Sequence, residues 1–513
     1  MRVLLLTGRL AAKRVMEEAR RIEAELGHDV EVLVLSIDIA ALMSVRWLKK
    51  ALEPMREGLR KYDAIILPGY ISGSATELEE EFGMRFVKGT KHICDLLEAL
   101  RRLGLTGLSS DVPADALLGR GTDVEGRLRA LEEAVSAYID VGDVRVPIRP
   151  PPMRLISEVY YSPELGVEEL IEECRYRAGE GADIVCLGIR EPLAFSPDEL
   201  SPILKALRDE FSTIAIDSPR PAHMREALKH GFDMVMSISP ANIEHVLSII
   251  EPLATYVLVA PRETRYDEKL ECMKKMVYWL ERAGARKIVI DPLLEPPIES
   301  GMMDSLLAYK RLGEELVEFP LLMGLCNVVE LVDADSPGLT ALLTALAGEL
   351  GVSLLLITEE SRKTLNSTAE ASVAAKMISI ALHERRAPKD LGISLLRLKD
   401  KVNKDIGLHE RELVGVEIVD CWPEEGPLPR PLDRMGFFKI TLDRKAGLIL
   451  VLYRGRKGAL LLRAPSAKPI LREVIERGLV GTQEHLAYLA LELEKAEIAL
   501  QVGKSYVQDE ELF

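Results

Sequence analysis

The chain has 513 residues, 48% of them hydrophobic and 29% charged, with a formal net charge of −16. That length exceeds one ordinary domain and suggests about three. So acidic a chain argues against general affinity for nucleic-acid backbones or anionic membranes, leaving a small metabolite as the expected partner. No apolar run reaches the ~20 residues of a membrane helix, and the N-terminus opens as a strand without a signal-peptide pattern. The six cysteines form no C-x-x-C pair. A cytoplasmic protein in a reducing compartment is expected.

Residues 1–146 predict an N-terminal α/β domain, with strands at Val3–Thr7, Val30–Ser36 and Ala64–Leu67 and amphipathic helices such as Ala12–Leu26 between them. Thr7-Gly8 and Pro68-Gly69 stand at strand ends, where an open parallel sheet binds ligands if it binds any. Neither a dinucleotide fingerprint nor a P-loop is present, and strand-end glycines commonly serve turns. Val146 to Pro152, with prolines at 147, 150, 151 and 152, reads as a stiff extended linker.

Residues 153–390 hold eight strand candidates: Leu155–Val159, Ile184–Gly188, Thr213–Asp217, Met234–Ser239, Tyr256–Ala260, Lys287–Asp291, Leu321–Gly324 and Ser353–Thr358. Amphipathic helical patterns such as Val167–Gly179, Pro197–Glu210 and Asp267–Ala283 alternate with them. Eight such alternations predict a central (β/α)8 TIM barrel, whose chemistry belongs at the strand ends. Residues 410–513 predict a small C-terminal α+β domain: a hairpin from Phe437–Asp443 and Leu448–Tyr453, then a long helix, Gln483–Val502, that packs a core or an interface.

Several barrel strands stop on a polar residue, notably Asp217 on the third and Asp291 on the sixth. Two carboxylates converging on one mouth suit a planar ligand with several N–H donors, such as an amino-substituted pyrimidine fused into a larger ring. An aspartate there also serves as an ordinary helix cap. Glu330, Asp333, Asp335 and Ser336 form an acidic loop of the hard oxygen ligands that suit Mg2+. Cys326 has no histidine nearby in sequence to activate it.

The order strand–Asp-Ser, strand–Asp-Pro, strand–Gly-x-Cys resembles the pterin-binding barrels, which comprise dihydropteroate synthases and methyltetrahydrofolate:corrinoid methyltransferases. Met323 to Ser336 and Leu355 to Lys363 are similar to the archaeal dihydropteroate synthase-related proteins. That family also has an N-terminal α/β domain and a terminus like Tyr506 to Phe513, so the resemblance covers essentially the whole chain. It implies a reduced pterin as substrate, held by Asp217 and Asp291, with Ser237, Glu359 and Arg190 joining the binding set and Arg190 or Arg262 meeting a phosphate. In the synthases a hydroxymethyl-dihydropterin diphosphate condenses with an arylamine, in folate- or tetrahydromethanopterin-type carrier biosynthesis, with Mg2+ (here Asp333 and Asp335) assisting. This chain departs from that pattern. Ser157-Glu158 replaces the first-strand asparagine, Met236-Ser237 the fourth-strand pair, and Cys326-Asn327-Val328 the Ser-Arg-Lys after strand seven. Lys363 is then the candidate substitute for the missing lysine. Asn327 resembles the asparagine that faces the methylated ring nitrogen in the methyltransferases. Condensation is the preferred expectation; methyl transfer to a corrinoid protein, or pterin binding without catalysis, are the alternatives. A homodimer is the candidate assembly.

Overall fold

The structure, a computed structural model, describes residues 1–118, 123–162, 164–190, 195–299, 301–399, 433–444 and 446–512. The expected start of the C-terminal domain at residue 410 lies outside the described residues. The chain forms two compact units, one of Met1–Glu359 with Asn366–Leu395 and one of Glu360–Leu365 with Leu396–Phe513. Among the described residues no helix is long and apolar enough to cross a membrane.

The first unit opens with four parallel strands, β1 (Arg2–Thr7), β2 (Asp29–Val34), β3 (Ala64–Leu67) and β4 (Phe86–Lys88), in the order β2-β1-β3-β4. Side-chain alternation explains the two layers that cover the sheet. Val3, Leu5 and Ile66 pack with Val15 and Ile22 of helix Ala12–Leu26 on one face, and Leu4, Leu6 and Ile65 pack with Leu48 of helix Val45–Leu52 on the other.

A hairpin follows, β5 (Tyr138–Val141) paired with β6 (Val144–Pro147). It takes in Val146 and Pro147, the first two residues of the expected linker. Val141 and Val146 are fully buried among Ile156, Ala215, Met234 and Val289, which fill the barrel interior. The turn is pinned beside the start of a barrel strand, where the Asp143 amide donates to Thr213 Oγ1 at 2.9 Å. A Cβ on Gly142 (φ +55°) would sit 2.6 Å from that hydroxyl, so the left-handed turn and the close approach both call for glycine. The proline-flanked segment therefore plugs the base of the barrel.

The barrel closes as β7 (Arg154–Tyr160), β8 (Ile184–Gly188), β9 (Ile214–Asp217), β10 (Met234–Ile238), β11 (Thr255–Val259), β12 (Lys287–Asp291), β13 (Leu321–Gly324) and β14 (Val352–Thr358), the last pairing with the first. All eight expected strands are present. Ile156, Cys186, Ala215, Met234, Val257, Val289, Leu322 and Leu354 form the interior cluster. Because successive side chains alternate in direction, inward residues two positions further along reach the C-terminal mouth: Glu158 on β7, Gly188 on β8, Asp217 on β9 and Asp291 on β12.

The second unit is an antiparallel meander, β15 (Gly436–Asp443), β16 (Leu448–Gly455) and β17 (Gly458–Ala464), backed by helices Ala467–Glu476 and Gln483–Val502. Leu489, Leu493 and Ala496 of the long helix pack on Ile440, Val451 and Tyr453, so that helix builds a core. The terminal motif is a clip: Gln508 Oε1 accepts from the Ile440 amide at 2.9 Å, and Tyr506 donates to Glu492 at 2.8 Å.

Candidate functional site

Asp291 is 5% exposed at the end of β12. Its Oδ1 accepts from the Leu293 amide at 2.8 Å and from the buried Tyr309 hydroxyl at 2.9 Å. Oδ2 makes no hydrogen bond to the described residues, which leaves one carboxylate oxygen for a ligand. Burial pushes this carboxyl up to about 6, against the opposing pull of its two hydrogen bonds and of Lys269. Asp217, at the end of β9, is also raised by burial, opposed by a hydrogen bond from the Ser237 hydroxyl. The charge on Asp217 also raises Asp291, which puts both carboxylates in one electrostatic neighbourhood.

Ser237 holds a left-handed backbone, φ 65°, which is rare for a residue with a Cβ. The Asn242 carboxamide sustains it, donating to the Ser237 carbonyl at 3.0 Å and the Pro219 carbonyl at 2.9 Å while accepting from the Ser239 amide at 2.9 Å. Asn242 thus ties the loops after β9 and β10 together, fixing the Asp217–Ser237 pair. The loop after β12 has its own anchor. Lys269, fully buried, donates to Glu295 at 3.1 Å and to the carbonyls of Pro292 and Leu293 at 3.3 and 3.4 Å. Leu293 there is also left-handed, φ 62°.

Asn327 begins the turn after β13, with Nδ2 donating to the Leu294 carbonyl at 3.1 Å. A Cβ on Gly324 would come within 3.1 Å of that amide, so glycine makes room for it. Cys326 donates weakly to Asn327 Oδ1 at 3.7 Å. Burial raises its thiol well above the ordinary range, and Glu158, Asp291 and Asp217 add to that, so it is a poor nucleophile.

Glu158, which with Ser157 replaces the first-strand asparagine of the synthases, shares the inward parity of Ile156. It is 3% exposed, interacts with the Tyr160 hydroxyl, and lies so near β8 that a Cβ on Gly188 would stand 2.3 Å from its Oε1. Arg190 stacks on Tyr160, its guanidinium carbon 3.6 Å from the ring centroid. The barrel therefore gathers Glu158, Asp217, Ser237, Asp291, Cys326 and Asn327, with Arg190 on the Glu158 side.

Four further expected site residues are Glu359, Asp333, Asp335 and Lys363. The Glu359 side chain is 1% exposed and accepts from the Asn366 amide at 2.8 Å and the Thr368 amide at 2.9 Å while pairing with Arg177 at 2.7 Å. It caps helix Ser367–His383 and neutralises a buried guanidinium, so substrate binding is corrected to a role in the fold. Asp333 and Asp335 are exposed, and among the described residues no group of three or more His, Cys, Asp or Glu is placed to hold a metal. Lys363 lies in the turn Arg362–Thr364, on a stretch that belongs to the second unit.

The family described as pterin binding enzyme matches residues 164–357, and the PterinBD-DUF4346 family matches residues 432–509. An uncharacterized protein of Methanocaldococcus jannaschii is 30% identical over 535 residues, spanning 100% of this chain and 99% of its own. Among solved structures, dihydropteroate synthase from Xanthomonas albilineans in complex with 7,8-dihydropteroate is similar at 20% identity, over 47% of this chain and 96% of that one, with a TM-score of 0.36. Dihydropteroate synthase from Thermus thermophilus in complex with 6HMPPP is similar at 20% identity, over 46% and 97%, with a TM-score of 0.38. The full-length relative and the pterin-family match across the barrel settle the kinship: this chain belongs to the pterin-binding proteins related to dihydropteroate synthase.

Proposed function

We propose that the barrel takes a reduced pterin into its mouth, with the pyrimidine edge on Asp217 and Asp291, and catalyses group transfer at that ring. The observation that carries this reading is the Asp217–Asp291 pair, two desolvated carboxyls of which Asp291 keeps a spare oxygen. Guanidine-like N–H donors of a pterin would replace the hydrogen bonds that water no longer supplies there.

Charge at the mouth favours one-carbon transfer from a ring nitrogen, with a corrinoid protein as the methyl acceptor. Glu158 adds a third carboxylate, whereas departure of a diphosphate calls for cations around the leaving group. Asn327, oriented by the Leu294 carbonyl, presents an amide that both donates and accepts, which suits a nitrogen whose charge changes. Condensation of a hydroxymethyl-dihydropterin diphosphate with an arylamine is the second reading, and Arg190 beside Tyr160 is the observation that favours it.

Calorimetric titration with an N5-methylated tetrahydropterin and with the dihydropterin diphosphate tests both. Binding of either that weakens at least tenfold in Asp217→Asn and Asp291→Asn is expected; binding of neither would end the proposal. Corrinoid-dependent demethylation selects the first reaction, and pyrophosphate release that depends on Arg190 selects the second.

A further inference from the structure

The N-terminal sheet carries a second candidate site, lined by none of the residues assigned to the barrel mouth. In the order β2-β1-β3-β4, the connections leaving β1 and β3 run to opposite sides, so the C-terminal ends of these two strands form a topological switch point, where open parallel sheets have a crevice. A cavity of about 230 Å³ lies there, bounded by Thr7 at the end of β1, by Arg14 on the following helix, and by Gly89, Thr90 and Lys91 beyond β4. Gly69 allows this closure, because a Cβ would stand 2.6 Å from the Lys91 amide nitrogen.

The residues that line this crevice carry positive charge. No aspartate or glutamate lines it, although the net charge is −16. Among the described residues neither the Arg14 guanidinium nor the Lys91 ammonium has a carboxylate partner: the ammonium approaches the Tyr70 ring, at 5.9 Å, while the Asp115 carboxylate accepts from the Lys91 backbone amide. Arg14 also borders the adjoining cleft of about 1000 Å³, where Glu17 and Glu18 are further lining residues, Asp95 pairs with Arg386 and Glu384 pairs with Arg127. Two cations left unneutralised around one small concavity are arranged for an anion supplied from outside.

We infer that this crevice binds a small phosphate-bearing metabolite, with Arg14 and Lys91 meeting the phosphate oxygens. The volume is below the roughly 300–1,000 Å³ of sites for larger organic ligands, which suits a phosphomonoester group rather than a dinucleotide.

The test is calorimetric titration of the full chain with inorganic phosphate, ionic strength held constant with chloride, and a parallel titration with acetate. Saturable phosphate binding that falls by about tenfold or more in Arg14→Gln/Lys91→Gln, and by a smaller factor in each single variant, is the expected result. Both side chains are exposed, and far-UV circular dichroism checks that the variants fold. Arg190→Gln is expected to leave the phosphate affinity unchanged, which separates this site from the barrel mouth. Absence of saturable binding, equal binding in the double variant, loss through Arg190→Gln instead, or tighter binding of acetate than of phosphate would each overturn the assignment. Pterin affinity is expected to be the same in the double variant and the parent, so failure here leaves the barrel reading standing.

Discussion

Replacing Asp291 by asparagine is expected to stabilise the fold while weakening pterin binding. An unfolded aspartate titrates near 3.8, whereas burial pushes Asp291 up to about 6. The folded chain therefore binds more protons than the unfolded chain between those two values, and stability falls as pH rises through that window. Above pH 6 the full penalty applies, about 3 kcal/mol at the usual conversion of ~1.4 kcal/mol for each tenfold change in proton affinity. Asparagine keeps Oδ1 as acceptor for the Leu293 amide and the Tyr309 hydroxyl and removes the charge. Spread over a unit of this size, the gain corresponds to a melting point higher by about 3–5 °C at pH 7.5, shrinking to almost nothing at pH 4. Thermal and urea unfolding of both proteins from pH 4 to 8 measure it, and pterin titration at pH 7.5 measures the cost to function. A variant destabilised equally at every pH, or a stability difference that does not grow between pH 4 and 6, would refute a desolvated carboxylate at this position.

Glu359→Gln removes one of the two carboxylates paired with Arg177, leaving Glu173 at 2.6 Å, and urea unfolding is expected to show a loss of about 1–2 kcal/mol with pterin affinity unchanged. Gly324→Ala places a methyl 3.1 Å from the Asn327 amide, which must shift by a few tenths of an ångström. Titration is expected to show weaker pterin binding with melting nearly unaltered, and unaltered affinity would remove Asn327 from the site. Lys269→Met leaves Glu295 buried without its cation and frees the Pro292 and Leu293 carbonyls, a loss of about 3 kcal/mol. A double variant with Glu295→Gln is expected to recover part of it, and strict additivity of the two substitutions would refute the coupling.

The barrel was legible because each strand is a short apolar run closed by a turn residue, a pattern set by local burial. Asp217 and Asp291 were legible for the same reason, since a polar residue ending an apolar strand faces the mouth. Glu359 carries the same signal and does something different: its oxygens turn to the amides of Asn366 and Thr368 and to Arg177, partners that only tertiary structure supplies. The hairpin Tyr138–Pro147 did leave a trace, in the alternation of Ile139 and Val141 with Val144 and Val146 about Gly142-Asp143. The prolines that follow drew attention away from it.

Glu158 was legible only through the resemblance, as the residue that with Ser157 replaces the first-strand asparagine, because β7 continues past it to Tyr160 and no strand end marks it. Interior parity gives its direction: Ile156 points inward, Glu158 does the same, and Gly188 on the adjacent strand leaves the volume that its carboxylate fills. That substitution weighs more than any single aspartate in choosing the chemistry. A carboxylate in place of a neutral amide, together with the loss of the lysine expected after β13, changes the mouth by two negative charges. In a desolvated site, such a change disfavours an anionic leaving group and favours a ring nitrogen that gains a proton. Glu158→Gln is therefore expected to raise the affinity for the dihydropterin diphosphate relative to that for the N5-methylated tetrahydropterin, by about tenfold for one charge at partly screened range. Calorimetric titration of both ligands against both proteins reads that ratio. A ratio that stays constant, or moves toward the methylated ligand, would show that Glu158 does not set the selectivity and would restore the condensation to first place.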